Sequence, residues 1–306
     1  MLQKAFSRFG VFSLRLLSKM PLGFLYLIAD FFYLLVYHVF GYRKKVVREN
    51  LSNSFPEKSL NEIITIEKTF FRYLTCLIVE VIKMNSISAK ELQKRVRFKN
   101  TDLVEAYLKN NESVLFCSSH YGNYEWVCMA IGMAFSGEHY PIYKPLSNEF
   151  FDNWFLKMRS RYGNHMVSMR QTIRTIQSTK DRPTMFTFGS DQSPSKDDMK
   201  YWTMLLNQPA AIQMGVEKIA MKTNRPVFYL KTSYVKRGYY EVDCVPICLT
   251  PKETAEFEIT EAHTRFLEDF IKEEPAYWLW SHRRWKHKPS EKIQSTPTEE
   301  TLPEQV

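Results

Sequence analysis

The sequence predicts an α/β fold: a largely parallel central sheet flanked by helices, with an N-terminal membrane-associated helix. Three observations carry this. Short apolar runs bounded by polar residues recur at 113–118 (SVLFCS), 184–189 (TMFTFG) and 226–230 (PVFYL), as buried strands do. Helical patterns lie between these runs, and strands alternating with helices favour parallel pairing. A run of 20 residues, 21–40, is apolar except for Asp30 and His38.

Taken in order, residues 1–20 mix Lys4, Arg8, Arg15 and Lys19 with Phe6, Phe9, Phe12, Leu16 and Leu17. That is the pattern of a helix lying in a headgroup layer. The 21–40 run, at about 1.5 Å per residue, is long enough to cross a hydrocarbon core of roughly 30 Å. It is too long for a signal peptide and no small-residue cleavage site follows. A buried core helix is the plain alternative. Asp30 favours that alternative or a partner for its carboxylate, since a charge at mid-bilayer is costly. Spanning and lying flat both fit the flanking charges. The heavier basic side, Arg43, Lys44, Lys45 and Arg48, places the rest of the chain in the cytoplasm.

Residues 42–110 read as helical, with Ile63, Ile66, Phe70, Leu74, Leu77 and Val81 at helical spacing in 62–83. Further helices are expected at 124–135, 148–162, 170–180, 210–222 and 258–273, and a further strand at 239–245. From Pro289 the chain is polar and proline-rich and is expected to be disordered. The organisation is therefore a membrane-associated segment at 1–45, a main domain at 46–288 and a tail at 289–306.

Composition narrows the function. The 306 residues are 44% hydrophobic and 25% charged, which is globular. Five cysteines, an odd number with no CxxC pair, argue against a disulfide framework or a zinc finger and fit a reducing compartment. The net charge is +9, and without the acidic tail residues 1–288 carry 41 cations against 29 anions, +12. Such a body suits anionic lipid and acidic protein. Nucleic acid is disfavoured, because the aromatics cluster in apolar runs instead of interleaving with Lys and Arg.

The densest chemical signal is Ser118-Ser119-His120-Tyr121-Gly122-Asn123-Tyr124-Glu125-Trp126, directly after one expected strand and opening a helix. Open α/β sheets place their sites just beyond the carboxyl ends of strands. His120 and Glu125 are about 140° apart on an ideal helix, so they share no helical face. With His120 in the loop and Glu125 in the first turn, the carboxylate can fold back onto the imidazole and make an oriented base. Gly122 lets the loop turn. A loop-capping structural histidine is the plain alternative for a lone H-x4-E.

Three later segments add to this: Tyr143-Lys144-Pro145-Leu146-Ser147-Asn148 with Met158-Arg159-Ser160-Arg161-Tyr162-Gly163; Gly189-Ser190-Asp191-Gln192-Ser193-Pro194; and Tyr277-Trp278-Leu279-Trp280-Ser281-His282-Arg283-Arg284-Trp285-Lys286. In this order and spacing, from about residue 20 to about 288, the chain resembles the bacterial lipid A biosynthesis (lauroyl/myristoyl) acyltransferases of the lysophospholipid acyltransferase superfamily. The basic stretch from Gly41 to Leu51 is similar too. The resemblance makes His120 the motif histidine and Glu125 the motif acid. It puts the family arginine at Arg159, with Arg161 the close alternative, and the family aspartate at Asp191. Asn123, Arg161, Arg283 and Arg284 are then assigned to substrate binding. The chain departs at Ser193, where the family often has an acid or Tyr, and at Leu205-Leu206-Asn207-Gln208-Pro209-Ala210-Ala211, which lacks a glycine. Both departures bear on acceptor and chain-length preference.

What the resemblance implies is an O-acyl transfer at the cytoplasmic side of the cell inner membrane. The donor is an acyl carrier protein or acyl-CoA thioester and the acceptor a hydroxyl of a lipid A precursor. His120 removes the hydroxyl proton, Glu125 holds the tautomer, and Arg159 or helix-terminal N–H groups meet the oxyanion. No GxSxG elbow, HExxH or GxGxxG is present, so no acyl-serine, zinc or dinucleotide is implied, and no cofactor or metal is expected. Alternatives remain at each level. Arg159 and Arg161 suit a solvated helix face or a phosphate clamp; Asp191 suits a turn cap before Ser193-Pro194. The acceptor could be a lysophospholipid or an amino-acid lipid, and a catalytically silent lipid-binding protein would keep the same fold.

Overall fold

The computed structural model describes residues 2–289. The expected disordered tail lies almost wholly outside the described residues. The chain begins with three helical segments, α1 (Leu2–Ser18), α2 (Leu22–Tyr33) and a π-helical turn (Leu34–Val39), so the apolar run is one helix with an altered last turn. Then come α3 (Lys44–Ser54) and the long α4 (Leu60–Lys83). Ser59 starts α4 with a capping box: its hydroxyl accepts from the Glu62 N–H while the Glu62 carboxylate accepts from the Ser59 N–H.

The expected helix at 42–110 is interrupted. α5 (Ala89–Arg95) runs straight into β1 (Val96–Lys99), followed by α6 (Asp102–Lys109). β1 alternates buried and exposed side chains over only four residues, too few for periodicity to register. The site elements follow: β2 (Val114–Ser118), α7 (Tyr124–Ala134), β3 (Glu138–Tyr143) and α8 (Glu149–Arg159). Next are β4 (Val167–Ser168), α9 (Thr172–Ser178) and β5 (Thr184–Gly189). The expected helix at 210–222 is corrected to a hairpin plus a shorter helix: β6 (Tyr201–Leu205), β7 (Gln208–Ile212) and α10 (Gly215–Thr223). Its turn, Leu206-Asn207, has both residues at positive φ, a type I′ geometry without the glycine that usually announces it. The chain closes with β8 (Val227–Lys236), β9 (Tyr239–Cys248) and α11 (Glu258–Glu273).

Seven strands form one sheet in the order β1-β9-β8-β2-β5-β3-β4. All pairings are parallel except β8 with β9. β2 lies at the centre, and both of its faces are covered. Leu115 and Cys117 join the apolar layer that holds Phe70, Tyr229 and Phe270. Val114 and Phe116 join the opposite layer, with Trp126, Ile131 and Trp154. This double burial is why the strand reads as a continuous apolar run.

α2 is amphipathic in the folded chain although its sequence is nearly uniformly apolar. Leu25, Ala29 and Tyr33 are buried, while Phe24, Leu27, Phe31 and Phe32 are exposed. Asp30 has its partner: both carboxylate oxygens accept from Arg237, at 2.7 and 3.0 Å. The Tyr26 hydroxyl donates to Glu80 on α4 at 2.9 Å. The apolar run is thus clamped along one side to the domain and bare along the other.

Candidate active site

β2 delivers His120 two residues beyond its carboxyl end, and β5, its parallel neighbour, delivers Asp191 from the equivalent place. The two meet. His120 Nδ1 and Asp191 Oδ1 are 2.7 Å apart, and the His120 backbone N–H donates to Asp191 Oδ2 at 2.9 Å. The Trp278 indole N–H adds a third bond to Oδ2 at 2.8 Å. Asp191 is almost fully buried. Burial would raise its pKa, but the His120 charge and the donated hydrogen bonds outweigh that and push it down to about 2. It is therefore an anion at neutral pH. For His120, burial disfavours the charged ring, yet the Asp191 carboxylate, with Glu125 beyond it, leaves the imidazole pKa above its ordinary value.

Because an ionised carboxylate only accepts, Nδ1 carries the proton of the neutral ring and Nε2 keeps its lone pair. The Gln192 amide Nε2 lies 3.1 Å from that lone pair and donates to it. The Tyr124 ring packs edge-on against the imidazole, centroids 4.7 Å apart. On the other side a Cβ added at Gly189 would lie 3.3 Å from His120 Cε1, so only glycine lets the strand end approach the ring this closely.

The C-terminal segment clamps the His120 loop. The Leu279 N–H donates to the His120 carbonyl and the Gly122 N–H to the Tyr277 carbonyl, each at 3.0 Å. Gly122 has φ +55°, and Tyr73 on α4 donates its hydroxyl to the Gly122 carbonyl. The YWLW run thus works as a strap over the loop and sends Trp278 to the aspartate.

Glu125 does not hydrogen-bond the imidazole. Its two oxygens accept a fork from Arg159, at 2.7 and 2.5 Å, and the pair is largely buried. The carboxylate that the H-x4-E spacing suggested for His120 is supplied instead from residue 191, across the sheet. Asp191 is reached by strand pairing and Glu125 by helix winding, and the parallel β2–β5 register brings the former closer. Glu125 still lies near enough for its charge to favour the protonated ring.

The remaining expected site residues divide. Asn123 is buried: its Oδ1 caps α7 by accepting from the Trp126 N–H at 2.9 Å, and its Nδ2 donates to Glu80 at 2.6 Å. Arg161 turns away, donating to the carbonyls of Met84 and Ile87 just past α4. Arg283 is exposed and Arg284 is buried, so the arginine pair is split. One Arg284 donor bonds the Ala211 carbonyl at 2.8 Å; Nε and Nη1 have no partner among the described residues. Burial lowers its pKa to about 10, and the charge of Asp191 opposes that. His282 beside it is held down to about 4, chiefly by burial.

Two residues were missed from sequence. Gln192, on the lone pair of His120, sits in a quoted motif and only its amide chemistry hints at a role. Glu80, wholly buried, collects donors from Tyr26, Asn123 and Tyr240 and ties α2, α7 and β9 together; nothing in its helical setting marks it. Cys117, three residues before His120, is a core residue whose thiol burial raises to about 12, so it carries no thiolate at neutral pH.

The site therefore brings together a buried His120–Asp191 pair and, next to it, the Glu125–Arg159 ion pair. A family model described as bacterial lipid A biosynthesis acyltransferase matches residues 1–287. The chain belongs to this family. No curated protein matches it. As a lipid A biosynthesis acyltransferase it has an acyl donor and a lipid acceptor, and the family span takes in α1, α2 and the strap that holds Asp191.

Proposed function

We propose that this acyltransferase moves a fatty acyl chain from an acyl carrier protein (or acyl-CoA) thioester to a hydroxyl of a lipid A precursor, with His120 as general base. The observation that carries the reading is the 2.7 Å contact of His120 Nδ1 with the Asp191 carboxylate, which leaves Nε2 of the neutral ring as the acceptor, met by Gln192. An acceptor hydroxyl displacing the Gln192 amide would give its proton to Nε2 as its oxygen attacks the thioester carbonyl. Asp191 stabilises the resulting imidazolium. Collapse of the tetrahedral intermediate breaks the C–S bond, and the imidazolium returns the proton to the departing thiolate. The base is thus a His120–Asp191 pair, with Glu125 acting through Arg159, the cation assigned here to the developing oxyanion. Arg284, with two unpartnered donors in a buried place near Asp191, suits a phosphate of the acceptor.

The bare face of α2 and its ion pair to the domain favour a chain that lies on the membrane, not one that crosses it. The basic residues 43–48 favour the cytoplasmic side of the inner membrane. The test is an assay of the purified protein with acyl carrier protein and CoA donors against lipid A precursor, lysophospholipid and amino-acid lipid acceptors. Transfer to the lipid A precursor, abolished in a folded His120→Ala variant, is expected. Full activity in that variant refutes the base, and transfer only to another acceptor refutes the substrate.

A further inference from the structure

A basic cleft lies away from His120, at the N-terminal helix. It is an open cleft of about 350 Å³ between α1 and α8, with Arg8 and Arg15 on one wall and Lys157 on the other. Val11, Phe12, Phe150, Asn153 and Trp154 complete the lining, and no Asp or Glu takes part. The Arg8 guanidinium stacks 5.4 Å above the Phe150 ring, and none of the three cations has an ion-pair partner among the described residues. The two helices are joined beside the cleft by a 3.1 Å hydrogen bond from Asn148 to Ser7. Three like charges facing one space repel one another, and a bound anion removes that penalty.

From this we infer that the α1–α8 cleft holds the phosphate of an anionic glycerophospholipid, a site separate from the acyl-transfer centre. The inference rests on the membrane seating proposed above. A lipid is favoured over a soluble anion by what adjoins the cleft. Phe9, Phe12 and Leu16 recur along α1 and are 69%, 61% and 55% exposed, an apolar row for acyl chains beside a basic place for the headgroup. α8 leaves the cleft and ends at Arg159, so a bound headgroup sets the membrane surface against the helix that carries the Glu125 partner.

The test uses the full chain and co-sedimentation with vesicles of phosphatidylcholine alone or mixed with phosphatidylglycerol. The parent protein is expected to prefer the mixed vesicles. The triple variant Arg8→Gln, Arg15→Gln, Lys157→Gln is expected to lose on the order of 100-fold in affinity for them, and Lys157→Gln alone about fivefold. A control triple, Lys90→Gln, Lys94→Gln, Arg97→Gln, removes the same charge from exposed positions outside the cleft and is expected to change far less. Equal losses in both triples mean general charge and overturn the site, as does an unchanged cleft triple. A cleft triple that keeps vesicle binding but no longer binds acyl carrier protein makes the cleft a protein dock and also overturns it. A parent protein that binds neither vesicle overturns the membrane seating itself, whereas His120→Ala, dead in transfer, is expected to bind vesicles normally.

Discussion

Replacing Asp191 with Asn keeps the size of the side chain and changes which atom of His120 carries the proton. Asp191 Oδ2 receives two donors, the His120 backbone N–H at 2.9 Å and the Trp278 indole at 2.8 Å, whereas Oδ1 receives one. An asparagine carbonyl settles where two donors point, because an NH₂ group there would leave both buried N–H groups unsatisfied, at about 1–3 kcal/mol each. Its NH₂ then faces Nδ1, which must accept, and the imidazole proton moves to Nε2. The atom that should take the hydroxyl proton is now occupied. Loss of general-base catalysis costs about 10²–10⁴ in rate, so kcat is expected to fall by that much with little change in acceptor KM. The assay is single-turnover acyl transfer across pH, with thermal melting to confirm folding. In the parent protein the rate rises with pH as the ring becomes neutral. Its midpoint lies above the ordinary imidazole value of about 6.5, because Asp191 and Glu125 favour the cation. In Asp191→Asn the residual rate has a lower midpoint, the anion being gone. A variant as fast as the parent, or an unmoved midpoint, refutes the assignment of Asp191 as the group that sets the tautomer.

Other outcomes follow from neighbouring contacts. Glu125→Gln breaks a largely buried ion pair and strands the Arg159 guanidinium, so thermal unfolding is expected to show a loss of roughly 3 kcal/mol, partly recovered in the Glu125→Gln, Arg159→Met double variant. Additive losses in the double variant contradict the pairing. Gly189→Ala places a methyl 3.3 Å from His120 Cε1 without straining the backbone; a displacement of a few tenths of an ångström is expected to lower kcat about tenfold while leaving the melting temperature close to that of the parent. Unchanged kcat would mean that the ring is free to move.

Much of the scaffold was legible in the chain. The expected strand 184–189 and helix 258–273 coincide with β5 and α11, because each has a period long enough, or burial complete enough, to show in composition. β1 and the β6–β7 hairpin were not legible: four residues hold too little periodicity, and Leu206-Asn207 lacks the glycine that usually marks a type I′ turn. At the site, the family resemblance brought out His120, Glu125, Arg159 and Asp191 as a set, but nearness along the chain paired His120 with Glu125. Glu125 is five residues from His120 and Asp191 is 71 away, yet the imidazole bonds Asp191.

What the sequence determined by itself is local: a buried apolar run that becomes a central strand, a histidine loop at its end, a helix opening on Asn123, and an apolar N-terminal helix between basic flanks. These follow from side-chain burial, turn preference and capping, which act over a few residues. Only the tertiary structure decided which carboxylate meets the imidazole, that Arg284 is buried while Arg283 is exposed, and that α2 is clamped along one side by Glu80 and Arg237. Those outcomes depend on strand register and on helices packing across the sheet, contacts between residues tens to hundreds of positions apart that no spacing in the chain encodes.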